Sequence, residues 1–123
     1  MENISHSIPG DSMNAMKRKI ALDKELQRWL PLLINSLAPE RIILFGSLNR
    51  GQVSEWSDID LVIIQDTDLP FLKRIQQVFC LLHPKVGLDI LVYTPQEYAT
   101  LVRERRFVRD EIANKGSVLY ERG

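Results

Sequence analysis

The chain reads as a small mixed α/β domain, with about four strands in one sheet and helices mainly on one face. Three observations predict this. Short apolar runs rich in Ile, Leu and Val recur at 41–45, 58–64 and 86–93. Segments with apolar residues at helical spacing lie before, between and after them. Proline, glycine and polar clusters separate the two kinds of segment. At 123 residues the chain has the usual size of one domain with one core.

Residues 1–11 are polar, contain Pro9-Gly10, and are expected to form a flexible tail, leaving 12–123 as the single domain. From Ser12 to Trp29 the spacing of Met16, Ile20, Leu26 and Trp29 or Leu30 predicts an amphipathic helix. Pro31 is expected to kink it or to begin a short second helix through Leu37. After Ala38-Pro39-Glu40, Arg41–Phe45 reads as a buried strand, and Asp58–Ile64 as a second. Leu69–Leu82 reads as a helix with Asp68 as its N-cap and Pro70 in its first turn. Val86–Tyr93 is a third strand. Thr94-Pro95-Gln96-Glu97 carries the capping-box pattern and opens a helix expected to run to about Asn114. Gly116 ends it, and Ser117–Glu121 is a last edge strand.

The helix between the second and third strands is a crossover, so those strands should be parallel. For Gly46-Ser47 to meet Asp58 and Asp60, the first two strands must run antiparallel.

Composition narrows the function. Sixteen basic and sixteen acidic residues cancel, so the chain lacks the basic footprint of a nucleic-acid binder, and nucleic acid is not an expected partner. Cys80 is the only cysteine, which precludes an internal disulfide and fits a reducing cytoplasm. The first residues do not form a signal peptide. Apolar runs such as Ile42–Phe45 and Leu61–Ile64 are far below a membrane span.

The chemistry gathers in LFGSLNRGQVSEWSDIDLVII, residues 44–64. Side chains alternate along a strand, so Asp58 and Asp60 share a face, with Cα atoms about 6.5–7 Å apart. Side by side and unpaired they repel, and one is driven toward protonation. A divalent cation removes the conflict, and oxygen-only ligands favour magnesium or manganese over zinc. Asp89, early in the next parallel strand about 4.8 Å away, can reach the same patch. Three such carboxylates suit two metals about 3.5–4 Å apart, an arrangement for phosphoryl or nucleotidyl transfer. Gly46-Ser47, between a strand and a short helix, suits an anion: glycine permits close approach, and the hydroxyl can donate. Asp66-Thr67-Asp68 is a second Asp-x-Asp, read as a turn and helix cap. Val62-Ile63 excludes an EF-hand loop. Arg103, Arg106 and Asp110, with Arg105 and Arg109 nearby, read as a solvated helix face. Cys80 and Phe79 read as core. Trp56 is open to two readings, base stacking or loop packing.

Gly46-Ser47, ten residues, then Asp58-Ile59-Asp60 resembles the G-S-x10-D-x-D signature of the DNA polymerase beta-like nucleotidyltransferase superfamily. More narrowly the chain, from about Ser12 to Tyr120, is similar to the minimal nucleotidyltransferases, often encoded beside HEPN-domain proteins. Arg50-Gly51 matches the usual Arg-Gly, whereas Leu48-Asn49 departs from the more common Arg-Ala. The resemblance implies that Gly46, Ser47 and Arg50 bind the nucleotide. Asp58 and Asp60 would bind magnesium, with two ions expected. Asp89 would complete the metal site and help deprotonate the acceptor. The reaction implied moves AMP from ATP to a hydroxyl. Members of the group include antitoxins that modify a tyrosine of a HEPN ribonuclease toxin. Antibiotic-modifying relatives carry a further helical domain for which 123 residues leave no room, so a protein acceptor is expected, in a homo- or hetero-oligomer. The competing class is a non-catalytic binding module that neutralises a toxin by contact.

Overall fold

The structure, a computed structural model, describes the backbone from Asn3 to Gly123 and the side chains from Met13 onward. In chain order it forms α1 (Asn3–Leu37), β1 (Arg41–Phe45), α2 (Gly46–Arg50), β2 (Ile59–Ile64), α3 (Phe71–Leu82), β3 (Leu88–Tyr93) and α4 (Pro95–Glu104). A π-helical segment (Val108–Asn114) and β4 (Ser117–Glu121) complete it. Among the described residues no helix is long and apolar enough to cross a membrane.

The four strands form one mixed sheet in the order β3-β2-β1-β4. β1 runs antiparallel to β2 and to β4, and β2 runs parallel to β3 through the α3 crossover, as the sequence requires. Alternation sends the strand side chains to two layers. Ile42, Leu44, Ile59, Leu61, Ile63, Ile90 and Val92 pack under α1 and α3, forming the larger core with Leu22, Trp29, Leu33 and Leu82. Ile43, Phe45, Val62 and Ile64 point the other way, where Tyr98 of α4 and Val108 and Ile112 of the π-helix cover them. The main helical layer is on one face, as expected, and a smaller one lies opposite.

Several local expectations need correction. α1 continues through Pro31 to Leu37 as one helix. Burial of Trp29 and Leu33 on either side of the proline holds the turn that has lost a hydrogen bond. The helical backbone starts at Asn3, within the residues expected as a tail, whose side chains lie outside the described set. Met16 and Ile20 are exposed rather than core. Helical spacing shows which residues share a face, not how far along the helix the sheet reaches. In α3, Val78 and Leu82 take the buried phase, leaving Phe79 and Cys80 exposed. Asp68 does not cap α3: Pro70 holds the N-cap position, and the preceding turn is closed by Leu69 N–H donating to Thr67 Oγ1 at 3.2 Å.

The capping box at Thr94 is present, with Glu97 N–H donating to Thr94 Oγ1 at 3.1 Å and Thr94 N–H to Glu97 Oε1 at 2.9 Å. The helix it opens ends at Glu104, because Arg105 is extended (φ −120°, ψ 116°). This break separates Arg103 from the π-helical segment that carries Arg109 and Asp110. Lys115 N–H then reaches back five residues to Asp110 O at 3.2 Å. Such wide turns are rare and often lie beside functional sites.

Candidate active site

The parallel register of β2 and β3 sets Asp60 directly beside Asp89, and the antiparallel register of β1 sets Phe45 opposite Asp60. Both aspartates therefore project from the face that carries Val62 and Leu91, at the end of the sheet where β1 turns into α2. Gly46 begins that turn with a left-handed backbone (φ +79°). A Cβ there would run into the Asp60 carboxylate, whose Cγ would lie at 2.8 Å and Cβ at 3.2 Å. Glycine is thus required twice over, by backbone angle and by the approach of a carboxylate. Gly87 plays the second part for Asp58, since a Cβ at Gly87 would collide with the Asp58 carboxyl group.

Electrostatics at this corner are unbalanced. Burial, then the hydrogen bond that the protonated group donates to Asp89, then the negative charges of Asp89 and Asp58 push the Asp60 carboxyl up to about 7, with the Arg50 charge acting against them. Two carboxyl groups holding one proton between them is the conflict that a cation relieves. Asp58 stands just ahead of the β2 ladder. Its neighbour Ile59 N–H donates to Gly87 O at 3.0 Å, and its own Oδ1 accepts from Arg18 Nη2 at 3.2 Å.

Ser47 and Ser57 join the two halves of the site. Ser47 Oγ donates to Ser57 Oγ at 3.0 Å, and Ser54 N–H donates to the same oxygen at 2.9 Å. Gln52 N–H closes the loop onto Ser47 O at 3.0 Å. Arg50 is exposed, with Nε donating to Gln52 Oε1 at 3.3 Å. Trp56 is 82% exposed, which removes the loop-packing reading of its ring.

The residues that depart from the common motif have local work. Leu48 is buried in the larger core. Asn49 Nδ2 donates to Lys115 O at 2.9 Å, and Asn49 Oδ1 accepts from Ser117 Oγ, fastening α2 to the start of β4.

The structure thus brings Gly46, Ser47, Asp58, Asp60 and Asp89 to one end of the sheet, with Arg50 close enough to act on Asp60. The donor set suits a hard divalent cation: oxygen only, with an Asp60–Asp89 pair that cannot carry full charge without one. Asp60 is bonded to Asp89 and Asp58 to Arg18. Accordingly, among the described residues no three acidic, histidine or cysteine side chains stand at ligand spacing around one point. Sequence reasoning missed Ser57 and Arg18. Ser57 carried a weak signal, as a polar residue next to Asp58 in a serine-containing loop. Arg18 carried none, because it lies 40 residues from its partner. An open apolar hollow of about 480 Å³, lined by Phe71, Tyr93, Gln96, Glu97, Thr100 and Leu101, holds none of these residues.

The family model for polymerase beta nucleotidyltransferases matches residues 30–123. The chain belongs to that family. A candidate nucleotidyltransferase of known structure from Sulfolobus solfataricus shares the fold, with a TM-score of 0.64 and 18% identity over 89% of this chain and 88% of that one. No match to a curated protein was found. Nucleotidyltransferases of this family generally use a nucleoside triphosphate and a divalent metal.

Proposed function

We propose that the chain is a magnesium-dependent nucleotidyltransferase that moves AMP from ATP to a hydroxyl on a partner protein. By its resemblance to the minimal nucleotidyltransferases, that partner is a HEPN-type toxin, and the biological role is that of an antitoxin. The observation that carries the reading is the in-register pair Asp60–Asp89 lying against the left-handed Gly46. It joins a proton-sharing carboxylate pair to a backbone turn that only glycine can make.

Each residue has a role in the reaction. Gly46 and Ser47 receive the triphosphate, the first by leaving space and the second by donating its hydroxyl, and Arg50 adds positive charge. Asp58 and Asp60 would hold the metal, together with Asp89. Bound there, the metal supplies charge neutralisation on the phosphates. Asp89 accepts the proton of the attacking hydroxyl. The hydroxyl oxygen bonds to the α-phosphorus, the bond from that phosphorus to the bridging oxygen breaks, and pyrophosphate leaves. Asp89 is exposed, so the acceptor can be carried on another macromolecule.

The test is to incubate the chain with labelled ATP, magnesium and the protein encoded beside it, and to look for a mass gain of one AMP on that protein. Asp89→Asn should keep most of the ATP affinity and lose transfer. Equal neutralisation of the partner by both forms, with no adduct, would replace the enzyme with the contact antitoxin.

A further inference from the structure

The guanidinium of Arg18 reaches from α1 to the two residues that lead into β2. Its Nε donates to Ser57 O at 2.7 Å and its Nη2 to Asp58 Oδ1 at 3.2 Å. Ser57 is also the residue whose hydroxyl takes the Ser47 proton. The arginine head, the hydroxyl of the phosphate cradle and a metal carboxylate thus meet across one serine and its neighbour. Fastening alone is a weak reason for this contact. The side chains of Arg18 and Asp58 are 26% and 45% exposed, and an ion pair that open to water adds little stability. A guanidinium has five N–H groups. These two bonds use two of them, and the head keeps a solvent-facing edge.

The charges say what that edge is suited to. A triphosphate entering between Ser47 and Asp58 brings several negative charges to a corner that already holds three carboxylates. Arg50 offsets charge on the Asp60 side. On the Asp58 side, the basic head bonded to the site is Arg18. Arginine is suited to phosphate because its planar fork matches two oxygens at once.

We infer that Arg18 is a further triphosphate-binding residue, gripping the β- and γ-phosphates with the N–H groups left free by Ser57 and Asp58. The inference rests on the nucleotidyltransferase reading and extends the site to Arg18 on α1, a residue outside the segment 30–123 on which the family match is based. The reach of one arginine joins a helix that the motif does not include to the chemistry.

The test uses the full chain and three nucleotides, ATP, ADP and AMP, titrated calorimetrically with magnesium, with melting curves for each protein. Arg18→Met keeps the stem and removes the charge. It should weaken ATP by about tenfold or more, as expected for a lost hydrogen bond to a charged group, and leave AMP within about twofold. Arg18→Lys keeps the charge without the fork and should fall between the two, and it carries the test alone if the methionine variant does not fold. Unchanged ATP affinity overturns the inference. So does equal weakening of ATP and AMP, which would mark a structural role. A wild-type chain that binds no ATP removes the functional reading itself.

Discussion

The two ends of β3 carry two charged pairs on the same sheet, and they are built in opposite ways. At its start, Asp89 shares a hydrogen bond with Asp60, so that like charges face each other and the Asp60 carboxyl is pushed up to about 7. Past its end, Glu97 meets the buried Arg74, whose Nη1 donates to Glu97 Oε1 at 2.7 Å and to Val92 O at 3.1 Å, while its Nε donates to Leu69 O at 2.8 Å. The hydrogen bond to Arg74 holds the Glu97 carboxyl below its usual range. The matched pair ties α3, β3 and α4 together and needs nothing more. The mismatched pair is stable only with a shared proton or an added cation. Balanced charge marks a structural joint, and unbalanced charge marks a site.

The largest effects should come from breaking the unbalanced end. Asp58→Asn and Asp60→Asn should each lower transfer by at least about a hundredfold, the scale on which one electrostatic group supports a reaction. Removing like charge should leave the metal-free melting temperature unchanged or higher. Full transfer by either variant would show that these carboxylates serve another purpose, and a lowered melting temperature would show that the corner is balanced after all.

Breaking the balanced end should do the reverse. Arg74→Met strands two backbone carbonyls and half of an ion pair, and should cost about 2 kcal/mol in urea denaturation. The figure is at the modest end because the Glu97 side chain is 45% exposed and water screens it. Transfer by the folded fraction should be unchanged. A loss of turnover without a loss of stability would mean that the two ends communicate.

The sharpest comparison is in pH. Asp60 rises from an ordinary 3.8 to about 7 on folding, so in that window the folded chain keeps a proton that the unfolded chain releases. Stability of the metal-free protein should therefore fall as pH rises from about 4 to about 7. Glu97 is shifted the other way, so its contribution is present above its ordinary 4.5 and is lost as pH falls below that. Urea midpoints measured across this range should peak near the acid end of the first window. Asp60→Asn or excess magnesium should remove the fall toward neutrality, whereas Arg74→Met should remove only the Glu97 part of the loss in acid, leaving the part from Glu25, whose carboxyl the hydrogen bond from Arg28 holds down to about 2. A profile that is flat in both windows for the wild type would dissolve the contrast.

Much of this was legible in the sequence because it rests on short-range rules. The period-2 alternation of Ile59–Ile64 and Leu88–Tyr93 placed the aspartates on one face, and the crossover between them made those strands parallel. The capping box at Thr94 and the Gly46-Ser47 turn are likewise local, and all are present in the fold. What tertiary structure alone decided depends on how elements meet. The sheet covers only part of α1, so Met16 and Ile20 stay in water although their spacing matches the buried residues further along. The helix after Pro95 breaks at Arg105, where Val108 and Ile112 turn to cover Ile43 and Phe45. The same holds within the site. Alternation could pair Asp58 with Asp60, but only the docking of α1 could bring Arg18 to Asp58 across 40 residues of chain. Backbone period is written residue by residue, whereas long-range contact is chosen by which faces bury the most apolar surface together.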